Sequence, residues 1–132
     1  SQSSSEILLK KRYFEVEADH FIDRTIGDKL NLRLDFAENG MFIPAYLNGS
    51  LKPKFKQTNI EIENKNQIKN HIIKVTQFYL NQTTIKKPFL VDFLKNLYSK
   101  LKSLIDASND AIHFKQQQYL LEAIFAALEE IK

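Results

Sequence analysis

Glu15, Glu17 and Asp19 alternate along one short stretch of the chain, and Glu61 and Glu63 alternate along another. Carboxylates on the same parity of neighbouring strands can share a hard divalent cation, as in metal-dependent nucleases. Such sites also expect a lysine two residues after the second acid. Glu63-Asn64-Lys65 supplies the one match in that region, with no Pro-Asp pair at useful spacing before it. Alternating acids are equally what an ordinary half-exposed strand shows. A nuclease using Glu15, Glu17, Glu61 and Glu63 is therefore the weakest of three functional readings, and no metal ligand or cofactor is assigned.

The second set is basic and aromatic: Arg33, Phe42, Tyr46, Lys52, Lys54 and Lys56. If the stretches carrying them pair as strands, these side chains share the face turned away from the core. Cations that track a phosphate backbone, beside rings on which bases stack, are how open sheets hold single-stranded nucleic acid. Lysines and Pro53 on an edge strand also guard against sheet-to-sheet aggregation. Nucleic-acid binding is the second reading.

The third set is apolar. Tyr119, Leu120, Ala123, Phe125 and Ala127 lie beside the main stripe of the last helical segment and widen its apolar face. A helix with so broad a face is buried on two sides or meets a partner. This leads to the first reading: a non-enzymatic protein-interaction module, whether adaptor, inhibitor or subunit domain. It would assemble with itself or with another protein through its C-terminal helices.

Other chemistry finds little support. His20, His71 and His113 share no ligand spacing and suit surface or boundary positions. No nucleophile-elbow glycines accompany a serine, and three scattered glycines build no phosphate loop. Without cysteine, disulfides and thiolate metal sites are excluded.

The elements that must carry these sets follow from periodicity. Leu90, Phe93, Leu94, Leu97, Leu101, Leu104 and Ile105 recur at three- and four-residue spacing, as do Phe114, Gln117, Leu121, Ile124, Leu128 and Ile131. Residues 88–131 therefore form two amphipathic helices joined by a short polar turn, the pair around which the chain is organised. Pro88 suits the first turn of one, and Ser108 or Asn109 can cap the other. Ile68, Ile72, Val75 and Tyr79 mark a further helix.

Upstream, residues 7–19 alternate as a strand with Phe14, Val16 and Ala18 inward, and Gly27-Asp28 signals a turn. Leu30, Leu32, Leu34 and Phe36 then alternate up to Asn39-Gly40, the favoured centre of a type I′ hairpin turn. That turn pairs Phe36 with Ile43, Leu34 with Ala45 and Leu32 with Leu47, and leaves Pro44 at a non-hydrogen-bonded position opposite Asp35. A three-residue turn at 48–50 adds a third strand, and residues 57–59 kink the chain towards Ile60 and Ile62.

The expected fold is α+β. An antiparallel β-meander of about four strands (residues 7–63) is followed by two or three C-terminal amphipathic helices (66–131) packed on one face. Residues 6–132 form a single domain behind a polar tail, 1–5. The serine-rich start suits a processed terminus, a cloning scar or a domain cut from a longer protein. Hydrophobic residues at 43% and charged residues at 27% describe a globular chain. A net charge of +3 permits nucleic acid or an acidic partner without requiring either. No apolar run approaches membrane-spanning length, so an intracellular setting, cytoplasmic or nuclear, is expected.

Overall fold

A computed structural model describes residues 16–44, 60–82 and 85–132. Among these, two strands, β1 (Val16–His20) and β2 (Gly40–Pro44), pair antiparallel. Four helices complete the described chain: α1 (Arg24–Leu30), α2 (Lys65–Leu80), α3 (Lys87–Ser108) and α4 (Phe114–Ile131). The architecture is mostly helical with a two-stranded sheet, so the expected four-strand meander is incorrect. No described helix is long and apolar enough to cross a membrane.

The helical half follows its sequence pattern. Ile68, Ile72, Val75 and Tyr79 are buried on α2, and Leu90, Phe93, Leu94, Leu97, Leu101 and Ile105 are buried on α3. Asn64 caps α2 by accepting from Gln67 N–H at 3.1 Å. Pro88 lies in the first turn of α3, where no backbone donor is needed. Asn109 ends α3 in the left-handed conformation with φ 52°, so neither it nor Ser108 caps α4. α4 packs on both α2 and α3, which is why its apolar face is so wide.

The N-terminal half departs from the pattern. Asn39 is buried in a 3₁₀ turn (Ala37–Asn39), and Gly40 has an ordinary φ of −94°; the type I′ turn is absent. The Asn39 carboxamide instead accepts from Ile22 N–H at 2.8 Å and donates to the carbonyls of Ile22 and Leu34, both at 3.1 Å. Its own carbonyl accepts from Phe21 N–H at 2.9 Å. Held this way, residues 32–35 have no ladder partner among the described residues, and β2 pairs with β1 rather than with residues 32–36. Leu32 and Leu34 are nonetheless buried, and Arg33 and Asp35 exposed, as the alternation requires. A period of two reports which side is buried; it does not name the hydrogen-bond partner. Pro44 stands opposite Val16, not Asp35.

Residues 20–28 do not form the expected turn. Phe21 and Ile22 are fully buried, and Asp23 caps α1 by accepting from Thr25 N–H at 3.0 Å. Gly27 sits within α1 because the chain doubles back over it: Leu32 N–H donates to its carbonyl at 2.8 Å. The parity of β1 is also reversed. Ala18 is exposed opposite Phe42, whereas Asp19 lies opposite buried Met41 and accepts from the Tyr79 hydroxyl at 2.6 Å. Phe21 stacks on Tyr79 of α2, ring centres 5.5 Å apart, and meets Phe93 of α3 at 5.4 Å. That aromatic contact seats the sheet on the helices. The expected strand pairing beyond residue 44, the turn at 48–50 and the kink at 57–59 lie outside the described residues.

Replacing Asn39 by Ala leaves three buried backbone groups of Ile22 and Leu34 without their partner. The expected loss is about 3 kcal/mol of unfolding free energy by urea titration. Asn39→Asp should also destabilise, since a carboxylate cannot donate to the two carbonyls. A loss below about 1 kcal/mol from either would refute this role.

Gly27→Ala is expected to destabilise in the same assay, against the ~1 kcal/mol gain that helix propensity alone provides. A Cβ there would lie 2.6 Å from the Leu32 carbonyl oxygen and 2.9 Å from the Leu34 side chain.

Candidate functional site

α3 and α4 are joined by only five residues, 109–113, so they run antiparallel with one seam facing away from the core. Phe114 and Phe125 are eleven residues apart on α4, which places them about 20° apart around the axis and about 16 Å apart along it. Both lie on the border facing α3, and each is about half exposed, at 50% and 53%. Tyr98 of α3 tilts against Phe125 with ring centres 6.3 Å apart. Tyr98 packs partly on the core and thereby props the seam from beneath.

Charged ridges flank these rings. Lys95 and Lys102 are exposed three residues before and four after Tyr98, and Glu122 and Glu129 occupy the same offsets around Phe125. Three of them also form ion pairs within the chain. Lys102 binds Asp106 at 3.1 Å, Glu122 binds Lys65 at 2.9 Å, and Glu129 binds Lys132 at 3.3 Å. The hydrogen bond from Lys65 to Glu122 raises the lysine pKa.

The sequence-derived interface set is only partly on this face. Leu120, Ala123 and Ala127 are buried, consumed by packing of α4 within the chain. Tyr119 is partly buried against the core, and Phe125 is the member that stays substantially exposed. Phe114 and Tyr98 were missed as surface residues because each falls on an otherwise inward stripe. Only the crossing of α3 over α4 shows which edge of that stripe meets water.

Of the basic-aromatic set, only Arg33 and Phe42 fall among the described residues. Tyr46, Lys52, Lys54 and Lys56 lie outside the described residues. Phe42 is 70% exposed on β2. Arg33 has no ladder partner among the described residues; it lines a polar cleft of about 450 Å³ with Arg24, Asp28, Asn31 and Asp35.

The acids are not on neighbouring strands either. Glu15 lies outside the described residues, and Glu17 stands in β1 opposite Ile43. Glu61 and Glu63 are exposed in the turn leading into α2, with Ile60 and Ile62 buried beside them. Among the described residues, no three His, Asp or Glu side chains are arranged to hold a metal ion.

Two histidines meet carboxylates. His20 Nε2 lies 2.7 Å from Asp35 Oδ1, with Arg24 3.9 Å from the same oxygen. The His20 hydrogen bond, with the Arg24 charge behind it, holds the Asp35 carboxyl below its ordinary range. His113 Nδ1 lies 2.8 Å from Asp110 Oδ2. His71 is buried in α2, not at the surface or boundary expected for it.

Asp110 is the more connected carboxylate. It accepts from Asn31 Nδ2 at 3.0 Å and from the N–H groups of Ile112 and His113 at 3.0 and 3.1 Å. It thus ties the end of α1 to the start of α4. Gln117 adds a second tie by donating to the Leu30 carbonyl at 2.9 Å. No family model, curated protein or solved structure matches this chain.

The Asn31 hydrogen bond, followed by those from His113, lowers the Asp110 pKa from 3.8 to about 2. A carboxyl whose pKa is depressed by folding stabilises the fold above its unfolded value and loses that contribution as pH falls through the folded one. Unfolding free energy should therefore decline between about pH 4 and about pH 2. Asp110→Asn should start lower at neutral pH and show a shallower decline over that window. A variant with an unchanged slope would refute the assignment.

Proposed function

We propose that this chain is a non-enzymatic protein-interaction module that binds through the outer face of its α3–α4 pair. The observation behind this reading is the aromatic seam of Phe114, Tyr98 and Phe125. Two rings stand half in water, three helical turns apart, on an edge backed by core packing. Exposed aromatics on a firm support are the anchors around which protein interfaces concentrate their binding energy. Burying the rest of each ring against a partner would remove apolar surface from water at little conformational cost, because both helices are already ordered. A subunit, adaptor or inhibitor domain uses such a face in the same way.

Rings retained for binding should matter little to folding. Phe114→Gln and Phe125→Gln, singly and together, are expected to keep the urea unfolding free energy within about 0.5 kcal/mol of wild type. The doubly substituted chain should release any protein that the wild type retains through this face. A stability loss above about 2 kcal/mol would make the rings part of the core and remove the basis for this function.

A further inference from the structure

We infer that the partner of this face is a second copy of the same chain, docked with α3 of each copy over α4 of the other. The inference rests on the interaction reading above and specifies its occupant from the distribution of charge. The α3 ridge carries Lys95 and Lys102, then Asp106 near the turn; the α4 ridge carries Glu129 and Glu122, then Lys115. All six are exposed. Because the helices are antiparallel and Tyr98 stands level with Phe125, Lys95 is level with Glu129 and Lys102 with Glu122. Asp106 falls within about 3 Å, measured along the helix, of the level of Lys115.

With the helices of both copies aligned, a two-fold axis in the interface plane brings the faces together in two ways. An axis across the helices at the level of Tyr98 and Phe125 sets α3 against α3 and α4 against α4, which opposes Lys95 to Lys102 and Glu122 to Glu129. An axis along the helices sets each α3 on the other copy's α4 without changing level. Lys95 then meets Glu129 of the second copy, Lys102 meets Glu122, and Asp106 meets Lys115. All three contacts occur twice, as the isologous symmetry demands. The rings of Phe114, Tyr98 and Phe125 lie between the ridges, along the axis. Exposed ion pairs add little affinity, but opposed like charges are costly, so charge sets the orientation and the seam supplies the attraction. The face is about 27 Å long and about 20 Å wide, or roughly 1,100 Å² from both copies, at the low end for specific association. The dimer should therefore dissociate on dilution.

Sedimentation equilibrium of the full chain over a range of concentrations reads this directly. The apparent mass should rise from 15.4 kDa towards twice that value as concentration increases. Lys95→Glu with Lys102→Glu should weaken self-association at least tenfold, and so should Glu122→Lys with Glu129→Lys. An equimolar mixture of the two variants should restore it, because acidic α3 then meets basic α4 on one side and acidic α4 meets basic α3 on the other. Unchanged helical circular dichroism checks that each variant is folded.

A wild type that stays at 15.4 kDa at every concentration overturns the inference. So does undiminished self-association of either charge-reversed variant. If the wild type is monomeric while Phe114→Gln and Phe125→Gln leave stability unchanged, only the identity of the partner is wrong. If those substitutions unfold the chain, the interaction face itself is wrong.

Discussion

A carboxamide can be buried without loss only if both its oxygen and its nitrogen find partners, and Asn39 meets that condition through one neighbouring stretch of backbone. Its side chain mimics a strand residue, accepting from and donating to Ile22, while its second amide hydrogen reaches Leu34. That clamp holds residues 32–35 away from β2 and brings β1 alongside it instead. It also turns Phe21 and Ile22 inward, so that Phe21 can stack between Tyr79 and Phe93. The seating of the small sheet on the helices follows from this one polar arrangement.

The two halves share one apolar core, and among the described residues long-range polar ties supplement it. The Tyr79 hydroxyl reaches Asp19, and burial beside that carboxylate raises the phenol pKa, so the tyrosine stays a donor. Gln117 takes up the last carbonyl of α1, and Asp110 joins Asn31 to the first turn of α4. These bonds anchor the N-terminal end of α4 while α2 and α3 grip its sides. A helix held on several sides presents its remaining edge as an ordered surface, which is what the proposed binding through Phe114 and Phe125 would require.

The helices were legible because their stabilising contacts recur along the chain. Ile68, Ile72, Val75 and Tyr79 and the leucines of α3 keep one period through several turns, and all of those on α2 are buried. Two features hid α1: it is only seven residues long, and Gly27-Asp28 within it imitates a turn. The hairpin was misread for a different reason. Asn39-Gly40 has the composition of a type I′ turn, but composition cannot reveal that the asparagine is buried and bonded to a residue seventeen positions earlier. The alternation of Phe14, Val16 and Ala18 likewise places Asp19 outward, whereas the Tyr79 hydroxyl makes its inward position tolerable. At the candidate site, Phe125 was legible as surplus apolar surface, and Leu120, Ala123 and Ala127 were not separable from it. The two packing partners that bury those three lie on α2 and α3.

By itself, then, the sequence determined the positions of α2, α3 and α4, their inward stripes, and the in–out alternation of Leu32, Arg33, Leu34 and Asp35. Each of these depends on neighbours a few residues away, so each leaves a periodic trace. Only the tertiary structure decided that β2 pairs with β1, that Asn39 is a clamp and not a turn, and which edge of the wide α4 face remains in water. Those outcomes rest on partners tens of residues distant. Many distant residues could supply the same hydrogen bond or apolar contact, and local spacing carries no record of which one does.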